Sequence, residues 1–231
     1  MKTAAVVAEY NPFHKGHEYQ LDMTRRAGAT HVVAVMSGNF VQRGEAAVYD
    51  KFLRAAAAMR CGADLVLELP LPWAMSGAQS FARGAVSMVG ALGCVDMLSF
   101  GCECADINRL RTVAKAVYSS EFDERLSDLL PVCSSYAVAR RRAAAEMLGE
   151  DHACVLDSPN NILAVEYISA AEQIELGTDF NAVCRVGDGY NISVHSGSGF
   201  ASATAVRNLI RNGGDISSLV PKEICLSLIH I

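Results

Sequence analysis

Apolar runs too short for helices recur along the first part of the chain, at Ala4–Ala8, His31–Met36, Leu65–Leu69 and Val95–Phe100. Such runs, with little polar alternation, are the pattern of parallel strands buried on both faces. The helix-length stretches between them predict helices over about Gly16–Ala27, Ala47–Cys61 and Gln79–Leu92. The resulting βαβαβαβ order predicts an α/β fold on a Rossmann-like, doubly wound parallel sheet. Ligands of such sheets bind outside the carboxyl ends of the strands, and the His14–His17 turn, Ser37-Gly38-Asn39 and Gly101 all fall there.

From about Asp106 to Leu148 the pattern turns helical, which predicts a helical extension of the sheet domain. A second helical stretch follows Asp157-Ser158-Pro159-Asn160-Asn161, where Ser158 can cap and Pro159 suits the first turn. Val183–Arg185 reads as a further strand, and Ser202–Arg211 as a helix entered through Gly197-Ser198-Gly199. The expected division is a nucleotide-binding core over 1–105, a helical insertion over 106–180, and a return to the core over 181–231. No internal repeat or low-complexity linker interrupts it.

Composition narrows the function. With 51% hydrophobic residues in 231, the chain has ample material for a core, which excludes disorder. A net charge of −5 with 19% charged residues excludes a surface that grips nucleic acid by overall positive charge, so any RNA contact is local or lies outside these residues. Arg140-Arg141-Arg142 is the one small basic cluster, and such runs are usually solvated faces. The eight cysteines are scattered and form no C-x-x-C pair, as expected of reduced, structural thiols in a cytoplasmic protein. Cys102 and Cys104 lack further ligands at metal-binding spacing, so no metal site is expected. The opening apolar run is too short for a signal peptide, and no run reaches the length of a membrane span.

Four groups can carry chemistry. His14 and His17 flank Gly16 at a strand-to-helix turn, where glycine permits close backbone approach, free N–H groups attract anions, and imidazoles donate hydrogen bonds. This arrangement suits a triphosphate and attack on its α-phosphate. Ala201-Ser202-Ala203-Thr204-Ala205-Val206-Arg207 sets hydroxyls at a helix start with an arginine one turn on, which is either an ordinary cap or a second phosphate clamp. The loop Met36–Glu45 brings Gln42, Arg43 and Glu45 into close succession at a strand end. Asn160, Asn161 and Arg185 remain open, since the asparagines can simply cap a helix and Arg185 can pair with Asp188.

These motifs also carry a family resemblance. Glu9-Tyr10-Asn11-Pro12-Phe13-His14-Lys15-Gly16-His17, Met36-Ser37-Gly38 with Gln42-Arg43-Gly44-Glu45, Asp64-Leu65-Val66-Leu67-Glu68-Leu69-Pro70, Phe100-Gly101, Pro159-Asn160-Asn161-Ile162-Leu163, and Ser202-Ala203-Thr204 with Arg207 resemble bacterial tRNA(Met) cytidine acetate ligase, in order and over nearly the whole chain. The resemblance implies a nucleotidyltransferase-superfamily enzyme that uses ATP to activate acetate as acetyl adenylate, releasing pyrophosphate. The acetyl group then passes to the exocyclic amine of the wobble cytidine of elongator tRNA(Met), giving N4-acetylcytidine. It implies ATP contacts from Val7, Ala8, Glu9, Tyr10, Asn11, Pro12, Phe13, His14, Lys15, Gly16, His17, Glu18, Tyr19 and Gln20, and from Gly101, Asn160, Asn161 and Arg185 in a site that the 106–180 insertion completes. His14 and His17 would act at the phosphates, Ser202, Thr204 and Arg207 would form the second phosphate motif, and Mg²⁺ would be the counter-ion.

Two departures qualify the resemblance: Val206 replaces an isoleucine common in the second motif, and the chain stops at Ile231 where family members continue. A missing C-terminal helical region, holding most of the grip on tRNA, is the expectation. Adenylyltransferases and ligases that acetylate a protein thiol share the histidine turn, but Gln42–Glu45 and Asn160-Asn161 favour the tRNA ligase. A nucleotide-binding module without catalysis is the reading from another class, and retention of both histidines with Arg207 counts against it.

Overall fold

The structure, a computed structural model, describes residues 1–185 and 200–224. Gly197-Ser198-Gly199, Asp188 as a partner for Arg185, and the final segment through Ile231 lie outside the described residues. In chain order the elements are β1 (Thr3–Ala8), α1 (Lys15–Arg26), β2 (His31–Ser37), α2 (Lys51–Arg60), β3 (Leu65–Leu69), α3 (Leu71–Ala74), α4 (Ala78–Leu92) and β4 (Met97–Cys102). They continue with α5 (Ile107–Ala116), α6 (Ser120–Leu129), α7 (Tyr136–Leu148), α8 (Glu150–Ala153), α9 (Pro159–Gln173), β5 (Asp179–Cys184) and α10 (Ala203–Arg211).

The five strands pair in parallel in the order β3-β2-β1-β4-β5. The alternation of strand residues explains the layers. Ala4 and Val6 of β1 pack with Leu21, Ala58 and Val206 from α1, α2 and α10. Ala5, between them, packs with Phe81, Val165 and Leu98 from α4, α9 and β4. Connections leave β1 for β2 on one side and arrive at β4 on the other, so the carboxyl end of β1 is the topological switch point where such sheets bind ligands.

Several boundaries differ from the sequence expectation for identifiable reasons. β3 is an edge strand, not one buried on both faces: Leu65 is 43% exposed, and Glu68 pairs with Lys51 at 2.6 Å. α2 starts at Lys51 because Asp50 Oδ1 accepts the N–H groups of Phe52 and Leu53 at 2.8 and 3.1 Å. The chain before it is held in a loop by the Val48 N–H, which donates to Asn11 Oδ1 at 2.8 Å. β4 begins at Met97, since the Asp96 carboxylate accepts the Thr3 N–H at 2.7 Å, and it runs on through Cys102. β5 likewise begins earlier than expected, at Asp179. The stretch from Asp106 to Leu148 is three helices, with Asp106, Ser119 and Ser135 as side-chain caps. Ser158 stands at the N-cap of α9 beside Pro159, but its side chain makes no capping bond.

The arginine cluster on α7 is occupied by carboxylates. Arg140 meets Glu166 of α9 at 2.6 Å with both side chains largely buried, Arg141 pairs with Glu150 and Asp157, and Arg142 pairs with Glu146. The buried Arg140–Glu166 pair fixes α7 on α9 and takes the most enclosed of these charges away from any external phosphate.

One cation joins the loops around the switch point. Arg54 of α2 is 1% exposed; its Nε donates to the Tyr49 carbonyl at 3.0 Å and its Nη2 to the Ser37 carbonyl at 3.2 Å. It also donates to the carbonyls of Glu9 and Gly38. The planar fork thereby ties the chain leaving β1, the chain leaving β2 and the approach to α2. Arg54→Leu would leave these carbonyls unsatisfied, at about 1–3 kcal/mol each where water cannot reach. We expect urea unfolding to show a loss of about 3 kcal/mol or more; a change under about 0.5 kcal/mol, the usual range of neutral surface substitutions, would contradict this role.

Candidate active site

The segment between β1 and α1 is fixed from below. Tyr10, at φ 48°, and Phe13 are each 1% exposed, and the Asn11–Pro12 peptide is cis. Their rings lie 4.8 Å apart and support His17 at centroid distances of 5.0 and 5.5 Å. The Asn11 carbonyl accepts from Arg207 Nη1 at 2.9 Å, so α10 is locked to this turn. Arg207 Nη2 also donates to Thr204 Oγ1 at 3.1 Å.

The two histidines form a reciprocal cap on α1. The Gly16 N–H donates to His14 Nδ1 at 3.0 Å, and the His14 N–H donates to His17 Nδ1 at 3.3 Å. Both Nδ1 atoms therefore act as acceptors, which places the proton of each neutral ring on Nε2. The rings stack at 3.8 Å. Burial lowers the His14 pKa to about 3, with the Arg185 and Arg207 charges adding to it. Burial, His14 and Arg185 also push His17 well below its usual value. Glycine is required between them because a Cβ on Gly16 would stand 2.8 Å from His14 Cε1.

Both imidazoles open into a cleft of about 190 Å³ at the carboxyl ends of β1 and β4. Of the residues expected at the site, Val7, Ala8, Glu9, His14, His17, Gln20, Gly101, Asn160, Arg185, Ser202, Thr204 and Arg207 line it together. Gly16 and Tyr19 line an adjoining lobe with Val183 and Arg185, whereas Lys15 and Glu18 border a separate cavity beside Cys61. Tyr10, Asn11, Pro12 and Phe13 are buried beneath the turn, where they shape it. Asn161 is also buried: its Oδ1 accepts the N–H groups of Glu103 and Cys104 at 2.9 and 2.8 Å, holding the loop after β4. Asn160 Nδ2 donates to Glu103 Oε1 at 2.7 Å. Ser202 caps α10 by accepting the Ala205 N–H at 3.2 Å, which is the capping reading of that motif.

Sequence reasoning missed two walls of the cleft, Phe81 of α4 and Tyr167 of α9, and quoted Phe100 and Leu163 without giving them a place in it. Leu163 was visible only as part of a motif, and nothing local distinguishes Phe81 or Tyr167 from core residues. Gln42, read as part of a polar loop, also lines the cleft, and its N–H donates to Glu9 Oε1 at 3.0 Å. Among the described residues, Glu18, Cys61 and Glu223 are the one group whose ligand atoms lie within 4.8 Å of one another, and they stand outside this cleft.

A parallel sheet with a paired-histidine helix start at its switch point, faced by an arginine from a second helix, defines a nucleotide-handling protein of the phosphate-transfer kind. The profile of the HIGH Nucleotidyl Transferase family matches residues 1–230, and the chain belongs to that family. It is 41% identical over 225 residues to the tRNA(Met) cytidine acetate ligase of Syntrophotalea carbinolica, covering 96% of this chain and 54% of that protein. It is also 41% identical over 233 residues to the Thermosipho africanus protein of the same name, covering 99% and 55%. The crystal structure of Thermotoga maritima TmcAL superposes with a TM-score of 0.92 at 40% identity, over 100% of this chain and 56% of that one. The same protein bound with alpha-thio ATP superposes with a TM-score of 0.89. The chain thus spans just over half the length of the relatives it matches. No helix among the described residues is long and apolar enough to cross a membrane.

The cap makes stability pH-dependent in a set direction. His14 is lowered from 6.5 to about 3, so below pH 6.5 the unfolded chain takes up a proton that the folded chain refuses. The contribution is complete above pH 6.5 and is lost as pH falls toward 3. Between neutrality and pH 5 the loss amounts to on the order of 2 kcal/mol for this ring. Unfolding measured across that range should show a shallower fall for His14→Asn, which keeps a capping acceptor but does not titrate. An unchanged slope would contradict the assignment.

Proposed function

We propose that this chain activates acetate with ATP and serves the acetylation of the wobble cytidine of elongator tRNA(Met). The observation that carries the reading is the meeting of both phosphate-directed elements, the His14/His17 cap and the Ser202–Thr204–Arg207 helix start, on one cleft at the switch point. The names of the relatives and the α-thio ATP complex of a protein 40% identical support it.

In the first step an acetate oxygen attacks the α-phosphorus, the bond to the bridging oxygen of the β-phosphate breaks, and the electron pair leaves with pyrophosphate. His14 and His17 present Nε2–H donors to the phosphate oxygens as charge shifts onto them, and Arg207 holds the departing group. No covalent enzyme intermediate is needed. In the second step the cytidine N4 attacks the acetyl carbon, AMP departs and the nitrogen sheds a proton. The insertion between β4 and β5 completes the ATP site through Asn160, and the segment after β5 supplies the second phosphate element. Transfer to tRNA places the reaction in the cytoplasm. Alternative adenylyl transfers within the superfamily share the first step and differ in the acceptor.

The cleft is lined mainly by neutral and cationic side chains, with Glu9 as its single lining carboxylate among the described residues. Mg²⁺, where it accompanies ATP, would be held mainly by the nucleotide and water, the usual habit of that cation, and would supply charge neutralisation on the leaving group. Net charge and the paired state of Arg140, Arg141 and Arg142 leave tRNA affinity largely to regions outside this chain.

Acetate-dependent ATP–pyrophosphate exchange by this chain is the expected result, and calorimetry should detect ATP binding. His17→Ala should lower exchange about a hundredfold or more while changing ATP affinity far less, because a donor aimed at developing charge acts mainly in the transition state. Equal losses would make His17 a ground-state contact only. Cytidine acetylation by this chain should fall well below that of a full-length relative at equal exchange activity; equal transfer would put the RNA site within these residues.

A further inference from the structure

We infer that Glu103, on the loop after β4, is a positioning residue for nucleotide binding: its one carboxylate orients the head groups of Asn160 and Arg185 at the cleft. This rests on the reading of the cleft as an ATP site.

Asn160 and Arg185 line the cleft, and Glu103, which does not, reaches both. Its Oε1 accepts from Asn160 Nδ2 at 2.7 Å and lies 3.9 Å from Arg185 Nε. A single carboxylate oxygen thus joins two cleft side chains, one from the first turn of α9 and one from the residue that follows β5. The sheet places the rest of Arg185. Its N–H donates to the Cys102 carbonyl at 3.0 Å, and its stem passes Gly101, where an added Cβ would lie 3.8 Å from Arg185 Cγ. Backbone and stem are therefore set by β4, and the carboxylate aims the guanidinium. At 3.9 Å the contact is looser than a short bidentate pair, so it directs Arg185 without committing its fork.

Glu103 is itself held by the helix it serves. Its N–H and that of Cys104 donate to Asn161 Oδ1 at 2.9 and 2.8 Å, and its Oε2 accepts the Asn161 N–H at 3.2 Å. That last bond caps α9 from outside the helix. Ser158 at the N-cap makes no side-chain capping bond and Pro159 has no N–H to offer, so the Asn161 N–H is an early donor at the positive end of the helix, where a carboxylate is favoured. One oxygen suffices for a cap. The other is directed to the cleft side chains, which separates this arrangement from capping alone. Ordering both head groups before the nucleotide arrives lowers the entropy lost on binding.

The test measures ATP affinity by calorimetry, and KM and kcat by acetate-dependent ATP–pyrophosphate exchange, for Glu103→Ala in the parent chain and in Asn160→Ala and Arg185→Ala backgrounds. In the parent chain ATP binding should weaken and its KM rise about tenfold, with kcat at saturating ATP and acetate kept within about threefold. In each background the same substitution should weaken binding only about threefold, because a residue that acts through two others loses part of its effect when one is absent. An undiminished loss in either background overturns the inference, by making Glu103 a direct contact or a cap of general effect. Unchanged affinity in Glu103→Ala overturns it too, as does a fall in kcat with affinity unchanged. Urea unfolding reports the cap separately. If the alanine variant does not fold, Glu103→Gln, which keeps one acceptor oxygen and loses the charge, is judged in the same cycle by the same criterion. A parent chain that binds no ATP contradicts the reading of the cleft itself, whereas a parent that binds ATP no better than Glu103→Ala removes this inference alone.

Discussion

The Gly16 N–H donates to His14 Nδ1 and the His14 N–H donates to His17 Nδ1, and the chemistry of the cleft depends on these two bonds. They satisfy groups that a helix start would otherwise leave unpaired. They also settle the protonation of two buried rings without using a charge. A cationic imidazole would donate from Nδ1 and break the cap, so the fold and the neutral state require one another. The Nε2 atoms of two cleft-lining rings are thus fixed as donors, and donors set in place by the fold are the condition for electrostatic preorganisation.

The surroundings serve this cap. Tyr10 and Phe13 support His17 from below, Arg207 closes the turn through the Asn11 carbonyl, and Arg54 binds the backbone of the neighbouring loops. Two arginines thus spend donors on main-chain carbonyls within the same region. Arg207 also lines the cleft, with its donors engaged by the Asn11 carbonyl and Thr204 Oγ1. The buried polar contacts of Thr24 with Ser99, and of Asn181 with Ser99, tie α1 and β5 to β4 behind the site.

Sequence revealed what local spacing encodes. The parallel sheet followed from four apolar runs, and the histidine turn, Gly101 and the Ser202–Arg207 helix were recognisable because each motif lies within a few residues. Arg54 escaped notice because its meaning comes from carbonyls of Glu9, Ser37 and Gly38, distant in sequence, while around it the helix reads as a run of alanines. Phe81 and Tyr167 escaped for a related reason: a core aromatic and a cleft aromatic have the same sequence pattern, and only packing separates them. Asn161 was legible as important but not in its manner, since its use as a brace for Glu103 and Cys104 depends on the loop after β4. The arginine triplet looked like a surface patch because its partners, Glu166 above all, lie on other helices or further along the chain.

The most direct test of the central claim is long-range nitrogen–proton NMR of the histidine rings in the ligand-free chain. His14 and His17 are expected to appear as neutral Nε2–H tautomers that do not titrate between about pH 5.5 and 8, where an ordinary histidine does. A proton on Nδ1 of either ring, or a titration near the ordinary histidine value, would contradict the reciprocal cap and the donor geometry derived from it.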